Sequence, residues 1–127
     1  MTKKILIVED EETILELLSA TFGDLRDYKI LCARDGKEAL RIARVDNPDI
    51  ILLDILLPRI NGHEVCKSVK SNPAMSHIKV LMLSGMAQNS EWQKAREVGA
   101  DAYIAKPFSP LALVEKVKEL LRSNSRG

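Results

Sequence analysis

The sequence predicts an α/β domain in which helices cover both faces of one doubly wound parallel sheet. Three observations carry that expectation. Short apolar runs of strand length alternate with segments of helical period along the whole chain. The hydrophobic fraction is 46% while aromatics make up only 4%, the aliphatic composition expected when strands are buried on both sides. A length of 127 residues leaves room for one core and little more.

Lys4-Ile5-Leu6-Ile7-Val8 is a continuous apolar run that stops at Glu9-Asp10-Glu11-Glu12, as a doubly buried strand does on reaching a charged loop. Ile14, Leu17, Leu18, Thr21, Phe22 and Leu25 then recur at helical spacing. Acids occupy the first turn, where the positive helix end favours them, and this first helix is expected to reach about Leu25. Lys29 to Ala33 reads as the second strand, stopped by Asp35-Gly36, and Ala39, Leu40 and Ala43 mark a short helix that ends before Asn47-Pro48. Ile50-Ile51-Leu52-Leu53 is the third strand and ends on Asp54. After the turn at Pro58 and Gly62 a helix carries Val65, Cys66 and Val69. Lys79 to Leu83 makes the fourth strand, ending at Ser84-Gly85, and the fourth helix covers roughly 90–98. Ala102-Tyr103-Ile104-Ala105 is the fifth strand and ends at Lys106-Pro107. Pro110 opens a last helix with Leu113, Val114, Val117, Leu120 and Leu121 on one face. The expected domain is 1–122, with 123–127 a disordered, frayed tail. Five strands each followed by a helix imply right-handed crossovers and a parallel sheet.

Charge and composition exclude several functions. Nineteen Lys and Arg against eighteen Asp and Glu leave a net charge of +1, so no whole-molecule field attracts nucleic acid or anionic lipid. Met1-Thr2-Lys3-Lys4 runs straight into a strand, too short for a signal sequence, and no apolar stretch reaches membrane-spanning length; the expected location is the cytoplasm. Cys32 and Cys66 lie in different elements without metal-ligand spacing and read as small apolar residues. His63 and His77 flank loops and read as solvated surface.

The strand ends carry the chemistry, because an open parallel α/β sheet binds ligands beyond the carboxyl ends of its strands. The first strand ends in Glu9 and Asp10, the third in Asp54, the fourth in Ser84 and the fifth in Lys106. The second contributes nothing comparable, as suits an edge strand. Three carboxylates and one ammonium sum to a formal −2, which a divalent cation brings to zero. Oxygen donors without His or Cys select a hard ion, and Mg²⁺, which shares its shell with phosphates, fits best. Asp54 is then a candidate nucleophile for phosphoryl, Ser84 a donor to a phosphoryl oxygen, and Lys106 a partner for the added charge.

These residues resemble the receiver domain of bacterial two-component response regulators, from Lys4 to about Arg122. The acid pair Glu9-Asp10, the segment Asp54-Ile55-Leu56-Leu57-Pro58-Arg59-Ile60-Asn61-Gly62, Ser84-Gly85 and Lys106-Pro107 occur in the family's order. The resemblance implies a flavodoxin-like fold of five helices around a five-stranded sheet in the order 2-1-3-4-5. Asp54 would receive phosphoryl from a sensor histidine kinase or histidine phosphotransfer protein. Asp10, Asp54 and the backbone carbonyl of Leu56 would bind Mg²⁺, with Glu9 helping through water. Ser84 would swing toward the phosphoryl group and Tyr103 would turn inward behind it. The responding face, built by the fourth helix, fifth strand and fifth helix, makes Trp92, Lys94, Tyr103 and Lys116 candidates for contact with a downstream protein or output domain, or for a homodimer. No direct contact with nucleic acid or membrane is implied. The family's Lys106-Pro107 peptide is usually cis. The chain would catalyse only its own phosphorylation and a slow autodephosphorylation at Asp54. Slow hydrolysis is expected because Leu56 and Met86 stand where faster members carry an acid or amide.

Plainer readings stand beside these. Glu11 and Glu12 serve as helix-start acids. Trp92 shares a helical face with Ala95 and Val98 and reads as packing before partner contact. Tyr103 is either a switch or an ordinary core or interface tyrosine. A phosphatase of the haloacid dehalogenase type is disfavoured, since that family needs an Asp where Leu56 stands. An adaptor of the same fold that never accepts phosphoryl would not need the whole motif set.

Overall fold

A strand that is apolar on both sides is stable only where both faces of its sheet are covered. The central strands meet that condition: β1 (Lys3–Val8), β3 (Ile50–Asp54) and β4 (Lys79–Ser84) are buried along nearly their whole length. β2 (Tyr28–Ala33) and β5 (Ala102–Ala105) are partly exposed and form the two edges. All neighbours pair in parallel, in the order β2-β1-β3-β4-β5. The computed structural model describes residues 2–55, 57, 60–85 and 89–124, and for residues 89, 91, 123 and 124 the backbone alone.

Register divides the side chains between two cores, because residues of one strand alternate between faces and paired residues share a face. Leu6 lies beside Leu31 and Ile51, Ile51 beside Val80, and Met82 beside Tyr103. These residues pack with α2 (Gly36–Asp46), α3 (Gly62–Ser71) and α4 (Asn89–Glu97). The alternate set, Ile5, Ile7, Ile50, Leu52, Leu81 and Leu83, packs with α1 (Glu12–Gly23) and α5 (Pro110–Asn124).

Local chemistry fixes the helix ends. Asp35 Oδ1 accepts from the Glu38 amide at 2.8 Å and Asn61 Oδ1 from the Glu64 amide at 3.0 Å, so α2 and α3 each begin on a side-chain cap. Asn47 ends α2 in the left-handed region at φ 49°, where Asn is tolerated better than most residues, and Pro48 follows. α1 stops at Gly23 instead of reaching Leu25, because the Leu25 amide turns back to the Phe22 carbonyl at 3.0 Å and leads the chain into β2. α5 runs through Asn124, two residues into the stretch expected to fray; residues 125–127 lie outside the described residues. One surface reading changes: His63 is half-buried in the first turn of α3. Cys32, read as a small apolar residue, is exposed on the edge strand β2. Among the described residues no helix is long and apolar enough to cross a membrane.

Candidate functional site

Parallel strands send all their carboxyl ends to one edge, and the ladder continues past each end to fix the residues found there. The Glu9 amide donates to the Ala33 carbonyl at 3.0 Å, the Ile55 amide to Leu83 at 3.1 Å, and the Lys106 amide to Ser84 at 2.6 Å. Glu9, Asp54 and Lys106 are therefore held as firmly as strand residues. They also continue one alternation: Ile5, Ile7 and Glu9 on the first strand, Ile50, Leu52 and Asp54 on the third, Ala102, Ile104 and Lys106 on the fifth. Their apolar predecessors all belong to the core beneath α1 and α5, so the three polar groups emerge on the same side of the sheet edge.

There they meet. Lys106 Nζ lies 3.1 Å from Glu9 Oε1 and 3.6 Å from Asp54 Oδ1. Carboxylate oxygens of Glu9, Asp10 and Asp54 all lie within 4.8 Å of one another. Glu9 is 1% and Asp54 6% exposed, whereas Asp10 faces solvent. Glu9 Oε2 also accepts from the Glu11 amide at 3.2 Å. Burial first, and then the Asp54 charge, push the Glu9 carboxyl above its ordinary value, against the pull of Lys106. One lysine thus compensates three acids incompletely.

This donor set fits a hard divalent ion. All the side-chain donors are oxygens, and opposite ligands of an octahedral magnesium stand roughly 4.1 Å apart. Carboxylates within 4.8 Å of one another need only a small closing movement to share such an ion. Leu56, whose carbonyl was expected to complete the set, lies outside the described residues, as does Met86.

Ser84 is buried at the end of β4. It pairs in register with Ala105, and Met82, on the same face, pairs with Tyr103. Ser84 and Tyr103 therefore share the sheet face opposite to that of Asp54. Tyr103 is half-buried, with its ring 5.6 Å from that of Trp92. Trp92 packs on the core, in line with its packing role. The Lys106-Pro107 peptide is cis.

Four contacts at the site edge escape sequence reasoning. A Cβ at Gly62 would sit 2.6 Å from the Asp54 carbonyl oxygen and 2.7 Å from Ile55 Cα, so only glycine lets α3 start against the Asp54 segment. Its amide donates to the Ile55 carbonyl at 2.9 Å. Arg34, at the end of β2, pairs with Glu12 of α1, and its amide donates to Glu38 Oε1 of α2. Glu12 is thus more than a helix-start acid. The only signal in the sequence was a glycine directly after a capping Asn, and an Arg directly after a strand.

Comparison with known proteins gives a consistent picture. A family model described as the response regulator receiver domain matches residues 5–118. The alkaline phosphatase synthesis transcriptional regulatory protein PhoP of Bacillus subtilis (strain 168) is 41% identical over 122 residues, covering 96% of this chain and 50% of PhoP. The polar-differentiation response regulator DivK of Brucella ovis is 39% identical over 124 residues, covering 95% of this chain and 98% of DivK. A response regulator receiver domain protein (CheY-like) from Methanospirillum hungatei JF-1 has a crystal structure that matches with a TM-score of 0.91 at 30% identity, covering 99% of this chain and 98% of that one. The chain spans about half the length of the first curated relatives it matches.

Proposed function

The chain belongs to the response regulator receiver domain family of two-component signalling, and from that premise we propose that it is a phosphorylation switch whose acceptor is Asp54. The observation that carries this reading is the Lys106 ammonium lying against Glu9 and Asp54, with Asp10 completing a carboxylate cluster at the mouth of the sheet.

In this reading Asp10 and Asp54 would hold Mg²⁺ directly, the Leu56 carbonyl would add a third ligand, and Glu9 would assist through water. The ion would screen the phosphoryl oxygens from the carboxylates around them. The donor is a phosphohistidine of a histidine kinase or phosphotransfer protein. An Asp54 carboxylate oxygen attacks phosphorus, the O–P bond forms as the P–N bond breaks, and the imidazole leaves with the electron pair. Lys106 is already in place to accompany the charge that arrives on Asp54, and the Ser84 hydroxyl donates to a phosphoryl oxygen. A protein donor must cover this mouth. The hollow of about 350 Å³ lined by Ile14, Leu17, Pro107 and Phe108 adjoins Lys106 and offers it an apolar footing.

Ser84 and Tyr103 share a sheet face on neighbouring strands, which supports a route from Asp54 to the surface built by α4, β5 and α5. The listener there is a downstream protein, an output domain or a second copy of the chain. The test is intact mass after incubation with acetyl phosphate. Wild type with Mg²⁺ is expected to gain one phosphoryl group; omission of Mg²⁺ or the change Asp54→Asn abolishes the gain. Equal, stable labelling of Asp54→Asn would overturn the assignment.

A further inference from the structure

Trp92 is the chain's one tryptophan, and it sits where α4 meets β5. Its ring centroid lies 5.6 Å from that of Tyr103, with the planes tilted by 56°. Arg96, one helical turn further on, places its guanidinium carbon 5.8 Å from the centre of the Trp92 ring, within the range of a cation–π contact. Trp92 and Tyr103 both rest half-buried on the core shared by α2, α3 and α4. A tryptophan held by its own helix and by the core is a stiff wall, because its ring has only two rotatable bonds and one face of it packs on the core.

From this geometry we infer that Trp92 is the positioning residue for Tyr103: it holds the tyrosine ring in its half-buried orientation and couples any inward turn of Tyr103 to α4. The inference rests on the reading of Tyr103 as the residue that responds to phosphorylation. If Tyr103 turns toward Ser84, the ring-to-ring contact at 5.6 Å is altered, so the contact stabilises the arrangement seen here relative to the turned one. With the turned arrangement as the one that accepts phosphoryl, removing the contact raises its population and with it the rate of phosphoryl gain. Arg96 contributes by stiffening Trp92 from within the same helix. On phosphorylation Tyr103 leaves this contact, and the loss is felt in α4 through Trp92.

The experiment is a double-mutant cycle in the full chain, which isolates the pairwise contact from the packing loss of each single change. Wild type, Trp92→Ala, Trp92→Phe, Tyr103→Ala and the double variant Trp92→Ala/Tyr103→Ala are compared for the rate of phosphoryl gain from acetyl phosphate with Mg²⁺. Trp92→Ala is expected to react about threefold faster, the size of effect an aromatic pair carries. Trp92→Phe, which keeps a ring, stays near the wild-type rate. The double variant reacts no faster than Tyr103→Ala alone. The emission of the single tryptophan shifts on phosphoryl gain in wild type and does not shift in Tyr103→Ala. The inference is overturned if Trp92→Ala merely lowers the melting midpoint and leaves the rate unchanged, if its effect persists in the Tyr103→Ala background, or if wild-type emission stays constant while the mass increases. A wild-type chain that takes up no phosphoryl overturns the functional reading, and this inference with it.

Discussion

Asp10 and Glu11 are adjacent acids with different surroundings. An oxygen of Asp10 lies within 4.8 Å of oxygens of both Glu9 and Asp54, while Glu11 offers its amide to Glu9 and leaves its side chain in solvent. Asp10→Asn is expected to weaken Mg²⁺ binding by at least about tenfold, since the ion's affinity depends on the charge of its direct ligands. Glu11→Gln should leave it within about twofold, and a calorimetric titration giving equal losses would mean that Asp10 does not face the ion. The two cysteines differ in the same way. Burial pushes the Cys66 thiol up to about 12, and its Sγ donates to the Val98 carbonyl at 3.4 Å, whereas Cys32 is exposed. The thiolate is the reactive form, so near pH 8 the native chain should take one carbamidomethyl group from iodoacetamide, on Cys32, and a second only in urea. Rapid native labelling of Cys66 would contradict the burial.

At the scale of elements, the start of α3 is where the site and the scaffold touch. Asn61 caps the helix through the Glu64 amide, and Gly62 lies against the backbone of Asp54 and Ile55. A methyl group at Gly62 meets backbone atoms that cannot rotate away, so Gly62→Ala is expected to cost about 1 to 3 kcal/mol, as overpacking does. Asn61→Ala loses only the cap, roughly 1 kcal/mol. Urea unfolding measures both. The glycine variant should also slow phosphoryl gain, because the strain falls on the backbone of the acceptor itself. A Gly62→Ala chain as stable and as reactive as wild type would show that α3 can retreat without cost.

At the scale of the whole molecule, Asp101 ties part of the end of the sheet opposite the site. Asp101 accepts from the Val80 amide at 2.8 Å and from Lys70 Nζ of α3 at 2.8 Å, with Lys79 Nζ at 4.0 Å, joining α3, β4 and the entry to β5. The side chain is 23% exposed, which moderates the cost, so Asp101→Ala should lose about 2 kcal/mol and leave phosphorylation of Asp54 unchanged. Far-UV dichroism and Trp92 emission should still unfold together, since both cores share one sheet; separated transitions would show that α4 melts on its own. Much of this was legible beforehand, and for a physical reason. Continuous aliphatic runs, capping residues and turn residues act locally, so the order of strands and helices, and the acids, Ser84 and Lys106 at the strand ends, were determined by the sequence by itself. Contacts between distant segments were not. Lys106 meets Glu9 across 97 positions, Gly62 touches the Asp54 backbone, and Trp92 leans on Tyr103, because register, the alternation of faces and the crossing of α4 over β5 bring those pairs together. Local pattern names the groups at the mouth of the sheet; only the tertiary structure decides which of them touch, since that depends on how whole strands align and on which core each face covers.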